Sequence, residues 1–285
     1  MGLDVKMALS SFVQMGRRLG VGSVKNQVRT WIAAQQESWY RRSQAAFAPD
    51  LSFTEMATRF SGRNTMHAYA VHYYAHHLPV SLCEHRAYFK QNLRGFGENA
   101  FHAMWWVLLR EYQPQLCLEI GVYRGQVISL WALIAQMLKF PCEIHGISPF
   151  TPIGDAVSAY REDVDYLTDT LDSFKFFNLP APTLVKALSN EPVTIEHIAS
   201  HNWNLVYIDG SHDYEIALAD YRLCRDHLAP GGLLVMDDAS LDTSFRPPMF
   251  SFAGHPGPSQ VAAEFAMKEM KFLGAVGHNN VFQKK

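Results

Sequence analysis

From Gln115 onward, short apolar runs alternate with longer stretches of helical periodicity. The runs predict strands at Leu116 to Ile120, Glu143 to Ile147, Thr183 to Lys186, Leu205 to Asp209 and Leu233 to Met236. The stretches between and after them predict helices at about Gly125 to Lys139, Asp155 to Phe177, Val193 to Ser200 and Tyr214 to Leu228. This alternation is typical of an α/β fold with a doubly wound parallel sheet, in which ligands bind at the carboxyl ends of the strands.

The C-terminal pattern adds a helix and a hairpin. A helix near Ser259 to Met270 is followed by apolar runs at Phe272 to Val276 and Val281 to Gln283, joined by the turn residues His278, Asn279 and Asn280. Upstream, helical patterns occur at Phe53 to Phe60, Met66 to His77 and Asn99 to Glu111. We therefore divide the chain into a helical extension or cap, residues 1–95, and an α/β domain, residues 96–285.

The first 45 residues combine seven basic and two acidic side chains with apolar positions at helical spacing, which predicts two basic amphipathic helices broken near Gly20 to Gly22. Two uses remain open for them. One is packing on the main domain or on a second subunit of a homo-oligomer, and the other is peripheral contact with an anionic membrane surface.

Composition narrows the possible functions. A chain of 285 residues with 48% hydrophobic residues can hold one large α/β domain and an extension. A net charge of −2 argues against nucleic-acid binding, which depends on neutralising many phosphates. Cys83, Cys117, Cys142 and Cys224 are widely spaced and are interpreted as reduced residues of a cytoplasmic protein. The sequence contains no run of 18 apolar residues and no recognisable signal peptide.

The first strand ends in a turn suited to a nucleotide. Glu119 and Gly121 close the strand, and Gly125 opens the next helix. Glycine permits a sharp bend and a close approach of the backbone to a ligand. After the third strand, Ser189 and Asn190 can hydrogen-bond an adenine edge or cap the following helix, and both uses remain open.

Carboxylates follow the fourth and fifth strands. Asp209, Asp237 and Asp238 are expected to converge at one edge of the pocket, where their mutual repulsion favours a cation such as Mg²⁺. The alternative is that Asp209 caps a helix or binds ligand directly while the other two are solvated. His212 is a candidate general base at the same edge, or only a capping or contact residue.

Histidines also crowd the segment before the sheet. His72 and His76 would share one helical face and could hold a metal. Because no third ligand lies at a helical spacing, we favour a cap over the pocket.

From about Phe96 onward the sequence resembles class I S-adenosylmethionine-dependent methyltransferases. It is most similar to the metal-dependent group of macrolide and aminocoumarin sugar O-methyltransferases and cephalosporin hydroxylase-like proteins. The residues that carry this resemblance are Glu119 to Gly125, Asp209 to Tyr214, Leu228 to Gly232, and the pair Asp237 and Asp238.

The resemblance implies a Rossmann-like seven-stranded sheet whose last strand is antiparallel, with S-adenosylmethionine over Gly121. It implies a divalent metal, Mg²⁺ by preference, bound by Asp209, Asp237 and Asp238. In related catechol-type enzymes a lysine base stands where this chain has His212. The implied cofactor-binding residues are Glu119, Gly121, Tyr123, Gly125, Ser148, Ser189, Asn190 and Asp209, and the catalytic residues are His212 and Asp209. The acceptor is expected to be a sugar or another small hydroxylated metabolite, enclosed by residues 51–95 and 240–258, with Phe245, Arg246, Phe250, Phe252 and His255 as walls.

One residue departs from the family pattern. The second strand usually ends in an acid that binds both ribose hydroxyls, but here Ser148 stands at that place and can make only one such bond. This leaves a degenerate, non-catalytic methyltransferase-like binding protein as an alternative. An NAD-type oxidoreductase is a second, weakened by the absence of a third glycine in the turn and of an acid after the second strand.

Overall fold

The alternating pattern after Gln115 folds into one sheet. The protein is described by a computed structural model that covers residues 21–43, 50–158, 160–249 and 251–285. Its strands are β1 Leu116–Ile120, β2 Glu143–Ser148, β3 Thr183–Lys186, β4 Trp203–Ile208, β5 Leu228–Met236, β6 Lys271–Val276 and β7 Asn279–Gln283. They lie in the order β3-β2-β1-β4-β5-β7-β6. Neighbours among β1 to β5 are parallel, and β7 is antiparallel to both β5 and β6. The predicted seven-stranded α/β sheet with an antiparallel last strand is therefore confirmed.

Helices cover both faces of this sheet. They are α1 Val21–Ser43, α2 Phe53–Arg59, α3 Arg63–His76, α4 Val80–Lys90, α5 Asn99–Tyr112, α6 Gln126–Leu138, α7 Tyr166–Phe176, α8 Pro192–Ala199, α9 Tyr214–Asp226, α10 Pro256–Val261 and α11 Met267–Glu269. A π-helical turn, Ala262–Ala266, joins the last two. Among the described helices, none is both long and apolar enough to cross a lipid bilayer.

Two helix predictions need correction. The helix predicted from Asp155 begins only at Tyr166, where the Asp165 side chain accepts a hydrogen bond from the Thr168 amide at 3.0 Å and caps it. Helix α4 was not predicted, although its buried residues Leu82, His85 and Phe89 recur at helical spacing. In the basic N-terminal region, α1 begins at Val21, and the first of the two predicted helices lies outside the described residues.

The hydrophobic core has two layers because successive strand residues point to opposite faces. Cys117 and Leu205 pack into the layer that holds Trp105 and Trp131, whereas the next strand residues, Leu118 and Val206, pack into the layer under α8 to α10. The first layer also contains the buried residues Phe53, Met56, Tyr69 and Leu82 of helices α2 to α4. Part of the predicted N-terminal extension thus shares a core with the sheet.

A partly buried cation connects α3 to the sheet. The guanidinium of Arg63 donates to Ser240 Oγ at 2.7 Å and to Asn280 Oδ1 at 2.6 Å. Burial lowers the pKa of Arg63 to about 10. These bonds hold the helical cap over the segment that follows β5, where the candidate site begins.

Candidate active site

Two cavities adjoin at the carboxyl ends of the parallel strands. The larger, of about 410 Å³, lies beside the ends of β1, β4 and β5, and the smaller, of about 200 Å³, lies beside the ends of β1, β2 and β3. Gly121, Gly210, Ser158 and Tyr160 line both. A single elongated ligand can therefore reach from one cavity into the other past Gly121.

The turn after β1 requires its glycines. Gly121 has φ +99°, and a Cβ there would collide with the backbone carbonyl of Asp209. Gly125 has φ +81° and forms the N-cap of α6, close to Thr170 and Ser173. Among the described residues, it does not line either cavity. Gly121 thus lies at the junction of the cavities, whereas Gly125 shapes the helix behind it.

Glu119 faces the larger cavity from the end of β1, and Tyr123 lines the same space. The Glu119 side chain is 3% exposed, and its Oε2 has no hydrogen-bond partner. Burial raises the pKa of Glu119 to about 8, with the nearby charge of Asp237 acting in the same direction. An uncompensated acid facing a cavity is a candidate binding group for a ligand that donates hydrogen bonds or carries positive charge.

The smaller cavity contains the three polar residues that were predicted to surround a ribose and adenine. Ser148, Ser189 and Asn190 all line it. The N-cap of α8 is Glu191, without a side-chain capping bond, so the structure does not use Ser189 or Asn190 as that cap. Behind Ser189 lies the 2% exposed Asp220, whose pKa is raised to about 6 by burial and which hydrogen-bonds Ser189.

Carboxylates converge at the inner end of the larger cavity. Asp209 and Asp237 share a hydrogen bond between their side chains, and Asp238 follows directly in the chain. Burial, together with the charges of Asp237 and Asp238, raises the pKa of Asp209 well above its usual range. The pKa of Asp237 is likewise raised by burial and by Asp238. The three residues lie together as predicted, but the described groups of side chains close enough to share a metal ion contain Asp237 and Asp238 and not Asp209.

Asp238 has an unusual backbone. Its φ is +53°, in the left-handed region. Its carbonyl accepts hydrogen bonds from the His255 amide at 2.9 Å and from Ser259 Oγ at 3.1 Å, which fix the start of α10. This conformation directs the Asp238 carboxylate between His278 on one side and His212 and His255 on the other.

His212 lies between two carboxylates. Its Nδ1 is 2.8 Å from Asp155 Oδ2, and its Nε2 is 2.9 Å from Asp238 Oδ2. Burial disfavours charge on this imidazole, but the hydrogen bonds and charges of Asp238 and Asp155 outweigh it and raise the pKa of His212. Asp155, whose pKa is lowered although burial opposes this, also accepts from the His212 backbone amide at 2.6 Å. Both ring nitrogens of His212 therefore face a carboxylate within hydrogen-bond distance, and these carboxylates favour its charged form.

Sequence reasoning did not assign Asp155 or His278 to the site. Asp155 was placed inside a helix, yet it forms a turn by accepting from the amides of Val157 and Ser158 at 3.2 and 3.0 Å. His278 was seen only as a turn residue. An acid followed by small residues indicates such a turn, but the distance between Asp155 and His212 depends on the three-dimensional fold.

The predicted acceptor walls are partly present. Phe252 and His255 line the larger cavity, whereas Phe245 is buried and packs on His67, and the Arg246 amide bonds Asn64 at the surface. Phe250 lies outside the described residues. The rings of His72 and His76 are 4.6 Å apart, but neither residue belongs to a metal-ligand group within the described chain.

A comparison with known protein families matches residues 118–239 to the family described as "Methyltransferase domain". This range contains the turn after β1, the smaller cavity and all three converging aspartates. Residues 118–239 are similar to a methyltransferase domain. The predicted resemblance to methyltransferases is therefore confirmed over this range.

Solved structures share the fold of the methyltransferase domain. One is the methyltransferase PaMTH1 from Podospora anserina bound to SAH, 16% identical, covering 81% of this chain and 95% of that one with a TM-score of 0.53. Another is an O-methyltransferase from Bacillus cereus in complex with SAH, 12% identical, covering 76% and 97% with a TM-score of 0.53. At these identities the likeness concerns the fold. The search of curated proteins found no match.

Proposed function

We propose that this protein is an S-adenosylmethionine-dependent O-methyltransferase that methylates a hydroxyl of a sugar or another small hydroxylated metabolite with the help of a divalent cation. The observation that carries the proposal is the junction of two cavities at Gly121, with polar groups for a nucleoside on one side and an acid and imidazole cluster on the other. The two structural neighbours bound to SAH and the match to the methyltransferase domain family support it.

The smaller cavity fits the adenosine part of the cofactor. Ser189 and Asn190 offer donors and acceptors to the base, and Ser148 offers one bond to the ribose. Glu119 and Tyr123 then face the methionine part in the larger cavity, where the orphaned Glu119 Oε2 can accept from its ammonium group. The cofactor supplies a methyl group on a sulfonium, which transfers in line to an acceptor oxygen.

The residues present also fit a divalent cation. Asp237 Oδ1 and Asp238 Oδ1 are buried without hydrogen-bond partners, and Asp209 adds a third carboxylate. A divalent cation would lower the pKa of the acceptor hydroxyl. The aspartates would hold and orient the acceptor edge of the site, and Phe252 and His255 would exclude water beside it.

His212 is the proposed proton acceptor. Asp155 holds the Nδ1–H, so Nε2, which faces Asp238, is the ring atom that must lose its proton before it can take one from the acceptor. Nε2 would then take the proton of the acceptor hydroxyl during methyl transfer. Because the pKa of His212 is raised, activity should fall as the pH decreases through that pKa and the base becomes protonated.

Calorimetry with S-adenosylmethionine and with NAD tests the cofactor, and we expect binding of S-adenosylmethionine alone. Methyl transfer to a panel of vicinal diols and sugars, assayed with Mg²⁺, with Mn²⁺ and with a chelator, then tests the reaction. Binding without turnover on any acceptor would support the non-catalytic alternative, which Ser148 at the end of β2 favours. Binding of NAD alone would refute the proposal.

The remaining partner predictions stay predictions. No nucleic-acid partner is expected from the charge, and a cytoplasmic location is expected from the cysteines. Membrane contact or homo-oligomerisation through the basic N-terminal helices would be tested by vesicle sedimentation and by light scattering.

A further inference from the structure

His278 faces the carboxylate cluster from the turn between β6 and β7. Its Nε2 is 3.3 Å from Asp237 Oδ1 and 3.7 Å from Asp238 Oδ1, and the residue is 4% exposed. Its backbone carbonyl accepts from the Ala239 amide at 3.0 Å, which fixes the turn beside the segment that carries both aspartates. The sheet thus holds the His278 imidazole beside the two carboxylates.

The hydrogen bonds of His278 fix its tautomer. Nδ1 lies 3.1 Å from the backbone carbonyl of Phe252, and because a carbonyl can only accept, Nδ1 carries the hydrogen. In the neutral ring, Nε2 then directs a lone pair toward Asp237 and Asp238. Neither Oδ1 atom has a hydrogen-bond partner, and the three candidate ligand atoms lie within 4.8 Å of one another. A positive charge at that point relieves their repulsion.

We propose that Asp237, Asp238 and His278 together bind the divalent cation, with one nitrogen and two carboxylate oxygens, and that this donor set selects an imidazole-binding transition ion such as Co²⁺, Ni²⁺ or Zn²⁺ over Mg²⁺. Mg²⁺ favours oxygen ligands, whereas imidazole suits Zn²⁺ and the later transition ions. The Phe252 carbonyl orients His278 in the manner of the partners that commonly hold metal-binding histidines. This inference rests on the proposed function in one respect, namely that a divalent cation binds at this edge of the sheet.

The other side of Asp238 is arranged differently. Its Oδ2 already accepts from His212, which Asp155 holds in turn. His255 Nε2 lies 3.8 Å from the same Oδ2, and its ring lies 4.1 Å from that of His212. On this side the Asp238 carboxylate is already hydrogen-bonded. His255 lines the same cavity, but we do not propose it as a metal ligand. It provides the matched control for His278.

Pulsed EPR of the full-length protein loaded with Mn²⁺ tests the nitrogen ligand without any turnover. We expect coupling to a ring nitrogen in the wild type, with the isotope pattern changed by ¹⁵N-histidine labelling. His278→Asn, which suits a turn and retains an amide for the Phe252 carbonyl, should lose this coupling, and His255→Asn should keep it. Circular dichroism checks the fold of each variant. If His278→Asn does not fold, the labelled wild type still decides, because bound Mn²⁺ without ring-nitrogen coupling refutes the proposal.

Competition dialysis tests the selectivity. His278→Asn should weaken Co²⁺ binding by about 10-fold or more and Mg²⁺ binding by about 3-fold or less, since only the former loses a preferred donor. Equal losses for both ions, or a loss in His255→Asn as large as in His278→Asn, would overturn the assignment. So would failure of the wild type to bind any of these ions, which would leave His278 as an ion-pair partner of the aspartates. These measurements are independent of methyl transfer, so they separate failure of the metal assignment from failure of the proposed reaction.

Discussion

Glu119 is an acid held in its neutral form by its surroundings. In the unfolded chain a glutamate ionises near pH 4.3, whereas burial raises the pKa of Glu119 to about 8 in the fold. Between these values the unfolded chain releases a proton that the folded protein keeps. Glu119 therefore lowers the free energy of unfolding progressively as the pH rises from about 4.5 to about 8.

Glu119→Gln should remove that penalty. We expect the free energy of unfolding of the variant, relative to that of the wild type, to rise by about 3 kcal/mol from pH 5 to pH 8. Urea unfolding without cofactor or metal measures this difference. Glu143→Gln, which removes an exposed carboxylate from the neighbouring strand β2, is the control and should show little pH-dependent gain. A difference between Glu119→Gln and wild type that stays constant with pH would contradict the raised pKa.

Asp155 acts through His212. Asp155→Asn should lower the pKa of His212, because the imidazolium loses a carboxylate partner while the amide oxygen can still accept from the loop amides. Histidine C2–H resonances titrated by NMR measure this shift. Asp163→Asn removes an exposed carboxylate from the same loop and should leave the His212 titration in place. An unchanged titration in Asp155→Asn would mean that Asp155 only shapes the turn.

At the scale of helices and strands, local pattern and fold contribute different information. The strands were predictable because their apolar runs are bounded by turn residues, and Asp209, Asp237 and Asp238 were predictable because they end adjacent strands. The start of α7 was missed because Asp155 and Asp165 are both plausible caps, and the choice depends on the contact between Asp155 and His212. His278 lies on an antiparallel hairpin, so its approach to Asp237 follows from strand order, which periodicity does not encode.

Arg63 shows how one side chain joins elements that are distant in sequence. Arg63→Ala would leave Ser240 and Asn280 without their charged donor in a buried place, and we expect a loss of about 2 to 4 kcal/mol. Lys90→Ala, which removes an exposed cation from the end of α4, should change stability by less than about 0.5 kcal/mol. Urea unfolding measures both variants, and equal small effects would show that the Arg63 bonds are not maintained in solution.

At the scale of the whole molecule, the boundary at residue 95 becomes testable. Phe53, Met56, Tyr69 and Leu82 lie before this boundary and are buried in the layer that covers one face of the sheet. A chain of residues 96–285 would expose the apolar partners of these side chains to water. Residues 50–95 are therefore expected to unfold together with the strands.

We expect residues 96–285 to lack a cooperative thermal transition, whereas residues 50–285 should retain one, because the described core begins at Leu51 and Phe53. Calorimetry compares the two truncated chains with the full protein. A sharp transition and native-like circular dichroism for residues 96–285 would instead establish them as an independent domain, as the sequence-based division predicts.

The left-handed backbone of Asp238 restricts which residues can replace this aspartate during evolution. At φ +53°, asparagine and glycine are tolerated, whereas alanine adds strain on the order of 1 kcal/mol or more. Aspartate and asparagine codons differ by one base. The least disruptive evolutionary route away from a charged residue here is therefore a single-nucleotide change that leaves the turn intact. Among related sequences, asparagine at this position would indicate that the charge is lost while the left-handed turn is kept. A β-branched residue would indicate that the loop has a different backbone conformation.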